Sequence, residues 1–138
     1  GNDTGVSMII GPFALLPGQL AVSNAPIEEW EKYLPTLFAM QKYVPWWIGD
    51  SVVFGEARFG DDFWQAVPMD ASEKLTQRFS GVSRKIPAED RVLGLSWTHH
   101  VTALRIQHPK LRSALLRRAE RDGLDTEAFG KLVRETVQ

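Results

Sequence analysis

The chain has 138 residues, 43% hydrophobic and 24% charged, with no cysteine and a formal net charge of −1. That length suits one domain able to bury its own apolar core. The lack of cysteine excludes a disulfide scaffold or a cysteine-ligated zinc site and points to a cytoplasmic setting, and no apolar run approaches the roughly 18 residues of a membrane span.

Residues 1–12 read as a flexible N-terminal tail, polar at Gly1 to Ser7 and without a signal-peptide pattern. Residues 13–24 read as a β-hairpin, two short apolar strands around Pro17 and Gly18. Those two residues suit the central positions of a type II turn. A lone hairpin is not stable in water, so it must pack on the helices or on a second copy of the chain. A homodimer with the hairpin as its contact is the expectation.

Residues 25–138 read as helical. Pro26 suits a first helical position, and Glu28, Glu29 and Glu31 favour a helix N-terminus. Trp30, Tyr33, Leu34, Leu37 and Phe38 recur at helical spacing. Pro35 predicts a kink or a new start, and Pro45 the start of a further helix carrying Trp46, Trp47, Val53 and Phe54. Gly60 stops it. Asp61 is the expected cap of a short helix, Asp62 to Val67. After a break at Pro68, Asp70 caps a longer helix, with Glu73 three residues on. That helix runs to about Ile86, because Pro87 disfavours helix in the residue before it. Ser96 caps the next, His108 and Pro109 open another that Gly123 stops, and Asp125 opens the last, with Phe129, Leu132 and Val133 on one face. The expected fold is all-α, six or seven helices with a helix-turn-helix, plus a small N-terminal hairpin.

Charge is unevenly spread. Residues 1–71 carry three basic and nine acidic side chains, residues 72–138 thirteen and eight. A basic second half suggests an anionic partner, although solvated faces give such splits too. The stretch from Asp61 to Pro87 has the length and order of a helix-turn-helix unit. With Lys74 set at 0° and about 100° per residue, Leu75, Phe79, Val82 and Ile86 fall between about 80° and 140°. Lys74, Gln77, Arg78, Gly81, Arg84 and Lys85 fall between about 280° and 40°. A helix entering the major groove needs such a face: Lys and Arg neutralise phosphates or donate to guanine, Gln pairs with adenine, and glycine permits close approach. An ordinary amphipathic helix with a basic outer side would look the same. On the following long helix, Arg117 and Arg121 lie four apart on one face and suit phosphate contact; a solvated face balanced by Glu120 and Asp122 is the equal alternative.

Leu95-Ser96-Trp97-Thr98-His99-His100 and Gly123-Leu124-Asp125 resemble the helical core of the ParB and KorB partition proteins. In that family a Leu-Ser-x-Gly-His-Ala phrase opens a helix and a Gly-Leu-Ser-Val-Arg phrase precedes the last one. Thr98 stands here in place of the glycine, and Asp125-Thr126-Glu127 in place of Ser-Val-Arg. The Leu-Ser-x-x-His phrase also occurs beside nuclease domains of the YhcG type. Trp46-Trp47-Ile48-Gly49-Asp50, Gly55-Glu56 and Phe59-Gly60 resemble a set of actinobacterial, plasmid and phage proteins that includes the LmbU-type regulators. These resemblances imply sequence-specific double-stranded DNA binding by a transcriptional regulator or a plasmid or phage replication or partition factor. The partition family's arginine-rich nucleotide signature is absent, and no cofactor is expected.

Other candidates have plain structural explanations. His99 and His100 are adjacent, so on a helix they diverge too far to share a metal, and His99 reads as a hydrogen-bonded core residue. Asp61 and Asp62 fit a helix start. Asp50 and Glu56 form no recognised constellation. Trp46, Trp47, Trp64 and Trp97 fit a core better than base stacking. Neither an enzyme nor a small-molecule substrate is expected. A helical protein-interaction module of a larger assembly is the alternative to a DNA-binding domain.

Overall fold

A computed structural model describes residues 8–68 and 71–138. The chain is mostly helical, with a small N-terminal antiparallel sheet, and falls into two units, residues 1–41 and 42–138.

In the first unit the expected hairpin is part of a three-stranded meander: β1 (Met8–Ile10), β2 (Phe13–Leu16) and β3 (Gln19–Val22), ordered β1-β2-β3. Pro17 and Gly18 make the second turn, and Gly18 has the positive φ of +71° that a type II turn requires. β1 lies within the stretch read as a tail. Three residues are too few for their alternation to register, and the turn at Gly11 (φ +56°) carries no proline-glycine signature. The register sets Met8, Leu15 and Leu20 abreast, and Ile10, Phe13 and Val22 abreast. Directly opposed residues share a face, so one face of the sheet is wholly apolar, and Phe13 is its buried member.

From Ile27 the chain forms one helix, α1 (Ile27–Phe59), which runs from the first unit into the second. The breaks expected at Pro35 and Pro45 do not occur. Each proline removes a helix hydrogen bond and crowds the carbonyl four residues earlier, at about 3 kcal/mol. The carbonyls so released belong to Glu31 and Gln41, both exposed residues that water can reach. Burial of Trp46 and Val52 holds the second half helical in spite of this cost. The glycine stop is as expected, with Gly60 at φ +59°.

The short helix expected over Asp62 to Val67 is a 3₁₀ turn, Gly60–Asp62, followed by a single turn, α2 (Phe63–Ala66). Asp61 sits inside the 3₁₀ turn and caps nothing. α3 (Glu73–Lys85) is capped by Ser72, whose Oγ accepts from the Leu75 amide at 3.1 Å. Ser72 therefore holds the place given to Asp70, which lies outside the described residues. Three helices then begin and end as the sequence implies. α4 (Trp97–Ala103) has a capping box between Ser96 and His99. α5 (Pro109–Asp122) is capped by His108 and closed by Gly123 at φ +65°, and α6 (Thr126–Val137) is capped by Asp125. Among the described residues this makes five helices of seven residues or more and the single turn α2, close to the expected six or seven, with α1 unbroken where breaks are expected.

Two clusters form the interior of the second unit. Leu95, Leu116, Ala119, Phe129 and Val133 bind α4, α5 and α6 together. Trp46, Val82 and Ile86 join the later part of α1 to α3, with Trp97 and Leu104 of the α4 region packed against them. Burying each such side chain contributes about 1.5–3 kcal/mol.

Candidate nucleic-acid interface

The site begins with how α3 is seated. Val82 and Ile86 are buried as expected, but Leu75 is 46% exposed and Phe79 only half-buried. Thr76, Ser80 and Ser83 are buried instead. The cause lies on α1. A Cβ built on Gly49 would sit 2.4 Å from both the Phe79 carbonyl oxygen and the Ser83 Oγ. The two helices thus meet backbone to backbone, and only small side chains fit between them. This rotates the buried side of α3 away from Leu75 and toward its Ser/Thr positions. The Thr76 hydroxyl donates to the Ser72 carbonyl at 2.8 Å and the Ser80 hydroxyl to the Gln77 carbonyl at 3.1 Å.

The opposite side of α3 faces water. Lys74, Gln77, Arg78, Arg84 and Lys85 are all exposed, and Gly81 has open space where a Cβ would be. Among the described residues Lys74 and Lys85 make no ion pair. Arg78 lies over the Trp97 ring of α4, 5.4 Å from its centroid, which limits its rotamers. Arg84 pairs with Glu56 of α1 at 2.9 Å. Both partners are partly exposed, so the pair is worth at most about 1 kcal/mol and can exchange for another anion.

Arg117 and Arg121 are exposed on α5, opposite its buried Leu115, Leu116 and Ala119. Arg121 and Arg118 both lean on Asp122, at 3.1 and 3.6 Å. No hydrogen bond or ion pair among the described residues links this pair of arginines to the arc on α3.

A second constellation was not foreseen. Arg91 places its guanidinium 4.1 Å from the Trp46 ring centroid and forks onto Asp50 with two bonds of 2.8 Å. Its Nε donates to the Ile86 carbonyl at 2.9 Å. The Arg91 fork holds the Asp50 carboxyl below its ordinary range. Asp50 and Glu56 therefore do share a role: each follows a glycine of α1 and tethers an arginine from the α3 region. Gly55 is also close-packed, against a side chain rather than backbone: a Cβ there would lie 2.5 Å from the Phe63 ring of α2. The signal available in the sequence was the repeated glycine–acid pair, Gly49-Asp50 and Gly55-Glu56, inside a helix that tolerates glycine poorly.

The histidines are structural. His100 Nε2 accepts from the Val92 amide at 3.0 Å, so the proton resides on Nδ1, which faces the Ser96 carbonyl at 2.7 Å. His99 Nδ1 accepts from the Ser96 amide, leaving Nε2 to donate to the Leu124 carbonyl at 2.9 Å. Burial lowers the His100 pKa. Trp46 is buried, whereas Trp47 is half exposed. Among the described residues no cluster is arranged to hold a metal, and no helix is long and apolar enough to cross a membrane.

The exposed aromatic Trp47 belongs to an apolar groove of about 1210 Å³ between the end of α1, α2 and the start of α3. Phe54, Phe59, Phe63, Leu75 and Phe79 also line it. No protein-family model, curated protein or solved structure matches this chain.

Proposed function

We propose that this chain binds double-stranded DNA in a sequence-specific manner, as a transcriptional regulator or a plasmid or phage replication or partition factor, with the outer face of α3 in the major groove. The observation that carries this reading is the exposed arc of Lys74, Gln77, Arg78, Arg84 and Lys85, with no side chain at Gly81 to hold the helix off. Arg78, steadied by Trp97, and Gln77 are the base readers. Arg117 and Arg121 are phosphate anchors. The test is a salt titration of binding to a duplex selected from a random library and to a scrambled duplex. Gln77→Ala and Arg78→Ala are expected to weaken the selected duplex by about 1–3 kcal/mol and the scrambled one much less. Arg117→Ala and Arg121→Ala are expected to weaken both alike and to lower the salt slope by about one each. Equal losses for all four variants on both duplexes would refute base reading by α3.

A protein-interaction module is the second reading, favoured by the open apolar groove beside α3. It takes precedence if the chain binds neither duplex at low salt.

A further inference from the structure

The first unit exposes several large apolar side chains. Setting Ile27 at 0°, the α1 residues Trp30, Leu34 and Phe38 fall within about 80° of one another and of Ile27. Apart from the half-buried Leu34 this stripe is exposed: Ile27 is 61% exposed and Phe38 69%. It is not the side that meets the sheet. Tyr33 does that, with its ring against Gly11, where a Cβ would clash at 2.3 Å. The apolar face of the sheet is also incompletely covered, because Met8, Leu20 and Val22 remain exposed around the buried Phe13.

We propose that this surface, the Ile27–Trp30–Phe38 stripe together with the Met8, Leu20 and Val22 side of the sheet, is the interface between two copies of this chain. The inference stands apart from the DNA reading and needs no nucleic acid.

Three observations select a second copy as the occupant. The first is area. Six exposed apolar side chains at roughly 100 Å² each give about 600 Å² per copy, near the about 800 Å² per partner of a standard stable interface. The second is charge. No charged side chain occurs between Asp3 and Glu28, so two copies of the sheet meet without like-charge repulsion, while on α1 the exposed Glu31, at about 40°, stays at the rim of the stripe. Homodimer interfaces are apolar in this manner. The third is the edge of the sheet. β3 is exposed along its whole length and, among the described residues, has only β2 as a neighbour. Its sequence, Gln19-Leu20-Ala21-Val22, has none of the lysines, prolines or bulges that keep an edge from pairing. An antiparallel strand can pair with its own copy about a two-fold axis, which is the commonest oligomer symmetry.

The test is sedimentation of the intact chain without DNA. A mass of twice 15.5 kDa is expected at about 100 μM. Ile27→Ala with Phe38→Ala is expected to weaken the dimer at least about 100-fold, with the helical circular dichroism retained, because both side chains are already in water. Leu93→Ala, which trims an equally exposed apolar residue of the second unit, is expected to change nothing. A monomer at that concentration, a double variant that dimerises as well as the parent, or an equal loss from Leu93→Ala would overturn the proposal. A monomer that still binds DNA through α3 refutes this inference alone. A dimer that binds no DNA refutes only the other.

Discussion

Two glycines in helices should respond in opposite directions to the same substitution. In an open helix Gly→Ala stabilises by up to about 1 kcal/mol, because alanine loses less backbone entropy. Gly81 is such a site, since a Cβ there has nothing within 4 Å. At Gly49 the added carbon would fall 2.4 Å from the Phe79 carbonyl oxygen and 2.9 Å from its carbonyl carbon. The Ser83 hydroxyl can rotate away, but backbone cannot. α1 and α3 must separate by about an ångström or more to restore ordinary contact, loosening Val82, Ile86 and Trp46 between them. Overpacking of this kind costs about 1–3 kcal/mol. Offset by the propensity gain, Gly49→Ala should destabilise by up to about 2 kcal/mol. Urea unfolding followed by tryptophan fluorescence measures both variants against the parent, and a shift of several degrees in the thermal midpoint should accompany each kcal/mol. A Gly49→Ala protein as stable as Gly81→Ala would refute the close approach of α1 and α3.

Two further outcomes are expected. Burial lowers the His100 pKa below its ordinary 6.5, so as pH falls the unfolded chain takes up the proton first. The stabilisation is whole above about pH 6.5 and is lost as pH drops from there toward the folded-state value. Between about pH 7.5 and 5.5 the parent should therefore lose more unfolding free energy than His100→Gln, and equal losses would show that His100 does not titrate in this way. Arg91→Lys keeps the charge but gives up the fork onto Asp50, the flat stack on Trp46 and the bond to the Ile86 carbonyl. A loss of about 1–3 kcal/mol in urea unfolding is expected. A lysine variant of parental stability would mean that the guanidinium geometry is immaterial.

Most helix ends closed within a few residues are readable from the chain alone, although Asp61 caps nothing and Ser72, not Asp70, caps α3. Ser96, His108 with Pro109, Gly123 and Asp125 each act on a neighbour three or four positions away, so these helix ends were legible and held. The outward arc of α3 is legible from the helical twist of about 100° per residue, which alone puts Lys74, Arg78 and Lys85 on one face. Tertiary structure decided what depends on the opposing surface. Pro35 and Pro45 look like breaks in isolation, yet Trp46 and Val52 buried farther along keep the helix whole. Thr76, Ser80 and Ser83 look solvent-facing until Gly49 brings a second backbone against them. Asp50 and Arg91 are 41 residues apart, and no local pattern joins them. A cap is a short loop closed at small entropic cost, whereas a helix-on-helix contact is set by shape across the interior, which a linear pattern of polar and apolar residues does not encode.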